Sequence, residues 1–210
     1  MSEIVAIIPA YNEEGTIGNV LSALNESDLI GQTVVVSDGS TDNTVEVSKQ
    51  FNAQVVELKH NVGKGGAMKA GLDQITSNII VFLDADLIGL TPDHISDLLI
   101  PVLEDEADMT VGIFEKGRIA TDLAQKVAPY LSGQRAVNRK VLSDISDLDM
   151  SRFGVEVALN RHIEENNIRV KEVILNDVSH VMKEEKLGVF RGFAARMKMY
   201  WEIVKYFAKN

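Results

Sequence analysis

Ile4-Val5-Ala6-Ile7-Ile8 and Ile79-Ile80-Val81-Phe82-Leu83 are apolar runs, rich in β-branched residues, with no polar residue inside them. A strand with one wet face alternates polar and apolar residues. An unbroken run instead fits a strand covered on both faces, as in a parallel sheet between two helical layers. The rest of the chain repeats the pattern. Thr33 to Val36, Gln54 to Leu58 and Met109 to Phe114 read as further strands, while Thr16 to Leu24, Thr44 to Phe51, Gly65 to Ile75 and Pro92 to Leu103 carry helical period. This βαβα rhythm predicts an α/β fold with a mostly parallel, Rossmann-like central sheet, the first and fourth strands lying centrally.

Beyond Phe114 the order blurs into a polar stretch with Gly117, Pro129 and Gly133. Next come a helical pattern over Val155 to Asn166, a strand-like Val170 to Leu175 and a long helix from about Leu187. No repeat, low-complexity tract or linker interrupts them, so the expected organisation is one domain over 1–186 and an amphipathic helix over 187–210.

Composition narrows the function. A chain of 210 residues buries roughly 70% of the surface it exposes when unfolded, so it needs no covalent staple. It has no cysteine, which removes disulfide frameworks, thiolate zinc sites, iron–sulfur clusters and cysteine nucleophiles, and fits a reducing cytoplasm. Met-Ser-Glu leads straight into the first apolar run, so neither a secretory leader nor a membrane span is expected. The formal charge of −10 argues against nucleic acid as a partner. From Lys186 to Asn210, six Lys or Arg stand against Glu202, so an acidic body ends in a basic arm.

In open α/β sheets ligands bind beyond the carboxyl ends of the strands. Those positions here hold Pro9-Ala10-Tyr11-Asn12-Glu13-Glu14, Ser37-Asp38-Gly39-Ser40-Thr41-Asp42, Asn61-Val62-Gly63-Lys64-Gly65-Gly66 and Asp84-Ala85-Asp86. Pro9 is expected to stop its strand and turn the chain over the sheet edge. The two-residue period of a strand would set Asp84 and Asp86 on one side, where they repel unless a cation sits with them. Mg²⁺ or Mn²⁺ chelated to a diphosphate suits such a pair; simple turn formation is the plainer alternative. The loop at Gly63 and Lys64 presents backbone N–H groups and an ammonium to an anion, or is only a glycine-eased turn. It is no Walker A loop, because Leu58 stands where the first Gly belongs and Gly65 where Ser or Thr belongs. Asp42 reads as an N-cap, and Asp38, just after its strand, as an acceptor for a ligand's donors.

In order and spacing these four loops resemble the nucleotide-sugar half of family 2 glycosyltransferases of the GT-A fold, strongly over residues 3 to 115. The resemblance implies that 1–115 binds the donor and 116–186 the acceptor. Pro9, Ala10, Tyr11 and Glu13 would line a uridine and Asp38 would meet the base. Gly63 and Lys64 would face the nucleotide, and Asp84, Ala85 and Asp86 the ribose and the metal-diphosphate. Further along, Gly117 to Thr121, Leu131 to Ala136, Phe153 to Val157 and Val178-Ser179-His180 are similar to glucosyl-3-phosphoglycerate synthases. That implies UDP-glucose as donor, His180 as a third metal ligand, and Arg118, Thr121 and Gln134 at a phosphoglycerate acceptor. Arg118 and Thr121 stand one residue further apart than in that family, and Gln134 replaces its acidic residue.

The chemistry expected is transfer of a hexose with a Mg²⁺ or Mn²⁺ cofactor, Asp86 and Lys64 stabilising the leaving diphosphate. An inverting attack by a hydroxyl would need a base, for which Glu156 or Asp149 stands ready; a retaining route needs neither. Transfer to a membrane lipid or polyprenyl phosphate is the alternative, and a catalytically silent nucleotide-sugar binder the rival class. The helix at 187–210 reads either as packed on its own domain or a twin subunit, or as an interfacial helix holding the enzyme at the inner face of the membrane.

Overall fold

The structure is a computed structural model and describes residues 4–114, 132–143, 163 and 165–180. The expected helix at 187–210, and Arg118, Thr121, Asp149 and Glu156, lie outside the described residues. Of the helical pattern expected over 155–166, Ile163, Glu165 and Asn166 are described and are helical.

The elements in chain order are β1 (Ile4–Ala10), α1 (Ile17–Asn25), β2 (Gln32–Ser37), α2 (Thr44–Gln50), β3 (Gln54–Glu57), α3 (Lys64–Leu72), β4 (Ile79–Phe82), β5 (Leu87–Ile88), α4 (Pro92–Leu103), β6 (Met109–Phe114), β7 (Arg135–Asn138), α5 (Arg139–Ser143), β8 (Val170–Leu175) and β9 (Ser179–His180). Seven strands form one sheet in the order β3-β2-β1-β4-β7-β6-β8, and β5 pairs with β9 in a second. β1 and β4 sit at its centre, as their unbroken apolar runs require.

Alternate residues of β1 feed opposite cores. Ile4, Ala6 and Ile8 pack with Leu21 and Leu24 of α1 and Leu98 and Leu99 of α4. Val5 and Ile7 pack with Val34 and Val36 of β2 and Ala67 and Met68 of α3. Each such large aliphatic side chain contributes about 1.5–3 kcal/mol on burial. A sheet so clad cannot slip its register, because a one-residue shift would exchange both faces at once.

Three expectations need correction. Pro9 does not stop β1: the strand runs on through Pro9↔Val36 and Ala10↔Ser37. The ladder with β4 ends at Ile7↔Phe82, so Pro9, two residues past Ile7 on the same side, has no neighbour there to which it owes an N–H. The residue at the N-cap of α2 is Asn43, not Asp42, although Asp42 Oδ1 accepts the Thr44 N–H at 3.1 Å. The polar stretch around Gly133 ends in β7, which runs antiparallel between β4 and β6. Its opening Arg135 is buried, 1% exposed, and donates through Nη2 to the Ser132 carbonyl.

The sheet's direction of winding changes at β1: β2 and β3 lie to one side, β4 and the later strands to the other. Such a switch point leaves a crevice at the carboxyl ends of β1 and β4. At the far end, Asp108 ties the amino ends of β6 and β8 together. It accepts from Arg169 Nε at 3.0 Å and Nη2 at 3.1 Å, and pairs with Lys140 at 2.9 Å. Among the described residues, no helix is long and apolar enough to cross a membrane.

Candidate active site

The loops after β1 and β2 are laced together. Asn12, at a positive φ of 55°, accepts the Thr41 N–H on Oδ1 at 2.8 Å, and its own N–H donates to Ser40 Oγ at 3.1 Å. Asn tolerates that left-handed conformation better than most residues. The Glu13 N–H donates to Thr44 Oγ1 at 2.8 Å, and Glu14 Oε2 accepts the Asn43 N–H at 2.9 Å. Burial acts to raise the Asp42 carboxyl, but hydrogen bonds from the Thr44 hydroxyl and from the Glu14 and Thr44 N–H groups outweigh it and hold it below the ordinary range. Tyr11 stands out at 48% exposure at the mouth of these loops.

Asp38 reaches across to the loop after β3. Its side chain is only 4% exposed, and its two oxygens accept the N–H groups of Val62 at 2.7 Å and Gly63 at 2.9 Å. Gly63 has φ 91°, a conformation glycine takes without strain, and it leads directly into Lys64 at the start of α3. The carboxylate after β2 thus shapes the loop that presents the lysine.

Lys64 Nζ lies 2.7 Å from Asp84 Oδ1. β4 ends at Phe82, so Asp84-Ala85-Asp86 forms a turn into β5 rather than an extension of the strand. Ala85 is buried within that turn while both aspartates remain half-buried. Asp84 Oδ2 accepts Gln134 Nε2 at 2.8 Å. A side chain on Gly133 would collide with both Asp84 oxygens and with Lys64 Nζ. One ligand atom each from Asp84, Asp86 and His180 lies within 4.8 Å of the others.

The structure therefore brings together Lys64, Asp84, Asp86, Gln134 and His180. Pro9, Ala10, Tyr11, Glu13, Asp38 and Gly63 border the same sheet end. Ser132 and Gly133 frame the lysine–aspartate pair. The signal that pointed to them was their place in the Leu131 to Ala136 resemblance, which gave neither of them a role. Two carboxylates and an imidazole make a donor set suited to Mn²⁺ or Mg²⁺ with open positions for water or phosphate.

The mostly parallel sheet, with paired aspartates at its switch point, is a GT-A-like α/β fold matching those of solved glycosyltransferases. The family model described as Glycosyl transferase family 2 matches residues 5–163, and the chain belongs to that family. Over 86% of this chain, it superimposes on 72% of Mycobacterium tuberculosis glucosyl-3-phosphoglycerate synthase in complex with Mn²⁺, UDP-glucose and phosphoglyceric acid, with TM-score 0.75 and 26% identity. The same enzyme with Mn²⁺ and UDP-glucose gives TM-score 0.75 and 27% identity over 86% of this chain and 71% of that one. A 4,4'-diaponeurosporenoate glycosyltransferase of Staphylococcus aureus (strain USA300) is 34% identical over 101 residues, 46% of this chain. The match spans 27% of that relative's length.

Proposed function

We propose that this chain transfers a hexose, glucose in the first instance, from UDP-glucose to a small phosphorylated acceptor of the phosphoglycerate class. The observation that carries the reading is the Lys64–Asp84 ion pair beside Asp86 at the switch-point crevice. The likeness to an enzyme solved with UDP-glucose, Mn²⁺ and phosphoglyceric acid supports the choice of donor and acceptor.

Asp86 and His180, with Asp84 beside them, would hold Mn²⁺ or Mg²⁺. Bound there, such a cation supplies Lewis-acid stabilisation of the charge left on a departing diphosphate. Lys64 adds a fixed ammonium at the same place. Because the glycosyl transition state is oxocarbenium-like, stabilising the leaving group addresses its main barrier. Pro9, Ala10, Tyr11 and Glu13 would flank the base and ribose, and Asp38 would order the loop that carries Lys64. If the acceptor is a hydroxyl attacking with inversion, Glu156 or Asp149 serves as the base.

A lipid acceptor is the second reading. It is favoured by the diaponeurosporenoate glycosyltransferase likeness and by the basic, amphipathic sequence of 187–210. UDP release from UDP-glucose with Mn²⁺ tests both. Stimulation by 3-phosphoglycerate supports the first, stimulation by polyprenyl phosphate vesicles the second, and no UDP release above the acceptor-free background with either contradicts both.

A further inference from the structure

Gln134 is fully buried, 0% exposed, although glutamine usually stands at the surface. Its two ends are bonded in opposite senses. Nε2 donates to Asp84 Oδ2 at 2.8 Å, and Oε1 accepts from Ser132 Oγ at 2.8 Å. Its own N–H donates to the same Ser132 Oγ at 3.3 Å, and its carbonyl accepts the Gly112 N–H of β6 at 2.8 Å. An ionised carboxylate can only accept, so the amide must turn its NH₂ end to Asp84, and the Ser132 hydroxyl locks that orientation from behind. Asp84 Oδ1 takes Lys64 Nζ at 2.7 Å, so each oxygen of this carboxylate has a donor, one charged and one neutral.

Resting on the donor-site reading above, we infer that Gln134 is a positioning residue of the donor end: by holding Asp84 Oδ2 from the position just before β7 it fixes the carboxylate on Lys64, and it does not meet the acceptor. This reassigns a residue that sequence reasoning placed at the acceptor. The neutrality of the amide suits the task. A carboxylate at 134 would add a like charge at hydrogen-bond distance from Asp84 and could offer it no proton while ionised. The Gly112 bond makes the device continuous with β6, so the antiparallel insertion between β4 and β6 is what delivers the amide to the aspartate.

The test uses the full chain with Mn²⁺ and UDP-glucose as the probe and calorimetric affinity as the readout, with no acceptor present. Gln134→Met keeps the buried volume and removes the donor; we expect donor affinity to fall about 10–100-fold, the scale of a lost hydrogen bond to a charged group. Ser132→Ala leaves Gln134 in place and frees its amide to rotate, so a smaller loss is expected. In turnover with 3-phosphoglycerate, the donor KM should rise in both variants while the acceptor KM stays within about twofold of wild type, a split that general loosening of the fold would not give. Unchanged donor affinity in both variants with a raised acceptor KM would overturn the inference and return Gln134 to the acceptor. Should wild type itself fail to bind UDP-glucose, the donor-site reading falls and this one with it. Normal wild-type binding with insensitive variants overturns this one alone.

Discussion

The Cα of Gly133 lies against the carboxylate of Asp84 so closely that a Cβ at residue 133 would overlap both of its oxygens, and Lys64 Nζ as well. The atoms that must give way are the ends of side chains, not backbone, so the protein can absorb an alanine by parting the ion pair. Gly133→Ala should therefore leave stability within about 1 kcal/mol of wild type while lowering kcat/KM for the nucleotide sugar by about 100-fold or more. Denaturant unfolding beside steady-state kinetics checks the pair of outcomes.

Lys64→Met keeps the length of the side chain and removes its charge. If the ammonium stabilises a departing diphosphate, kcat should fall by about 10²–10³ with native-like circular dichroism. A change confined to KM would place the lysine in ground-state binding only.

Asp38 serves the site at one remove. Its oxygens satisfy the Val62 and Gly63 N–H groups in a place with little access to water. Asp38→Ala strands two donors and should cost about 2–3 kcal/mol in urea unfolding. The activity remaining should depend on how far the Lys64 loop relaxes, so added salt should lower it further by screening the freed lysine.

The crevice's edge at β1 to β4 was legible because buried parallel strands are unbroken apolar runs, and each ends in polar residues at a predictable edge. Residues directly after a strand could be placed from the chain itself; His180 and Gln134, which reach in from distant parts of it, were indicated only by the resemblance. β7 is four residues long, opens with a buried arginine and has no periodicity to betray it. The bonds that Asp38 accepts from Val62 and Gly63 were not legible, because nothing in its neighbours shows that these partners lie 24 and 25 residues downstream. Pro9 misled because the rule that proline ends a strand assumes a neighbour on its N–H side, and β4 has already ended there.

Asp108 makes part of the fold's stability depend on pH. Hydrogen bonds from Arg169 hold its carboxyl far below the ordinary aspartate value of 3.8, against the opposing effect of burial, with Lys140 adding to the lowering. A depressed folded-state value contributes stability that is present above 3.8 and is lost as pH falls through the folded value. Asp108→Asn should lower Tm by about 2–4 °C at pH 7, and the gap to wild type should begin to narrow as pH falls below 3.8 and close only as it passes the much lower folded value. A gap that persisted at low pH would assign the effect to packing.

The donor site itself is tested most directly by thermal unfolding of wild type and Asp86→Ala with UDP-glucose and Mn²⁺, each with and without EDTA. At about a hundredfold over its dissociation constant the ligand should add about 2.7 kcal/mol to wild type. That gain should vanish with EDTA and in Asp86→Ala. Equal stabilisation of both proteins, unaffected by EDTA, or no stabilisation of either, would contradict a metal-dependent nucleotide-sugar site at Asp84 and Asp86.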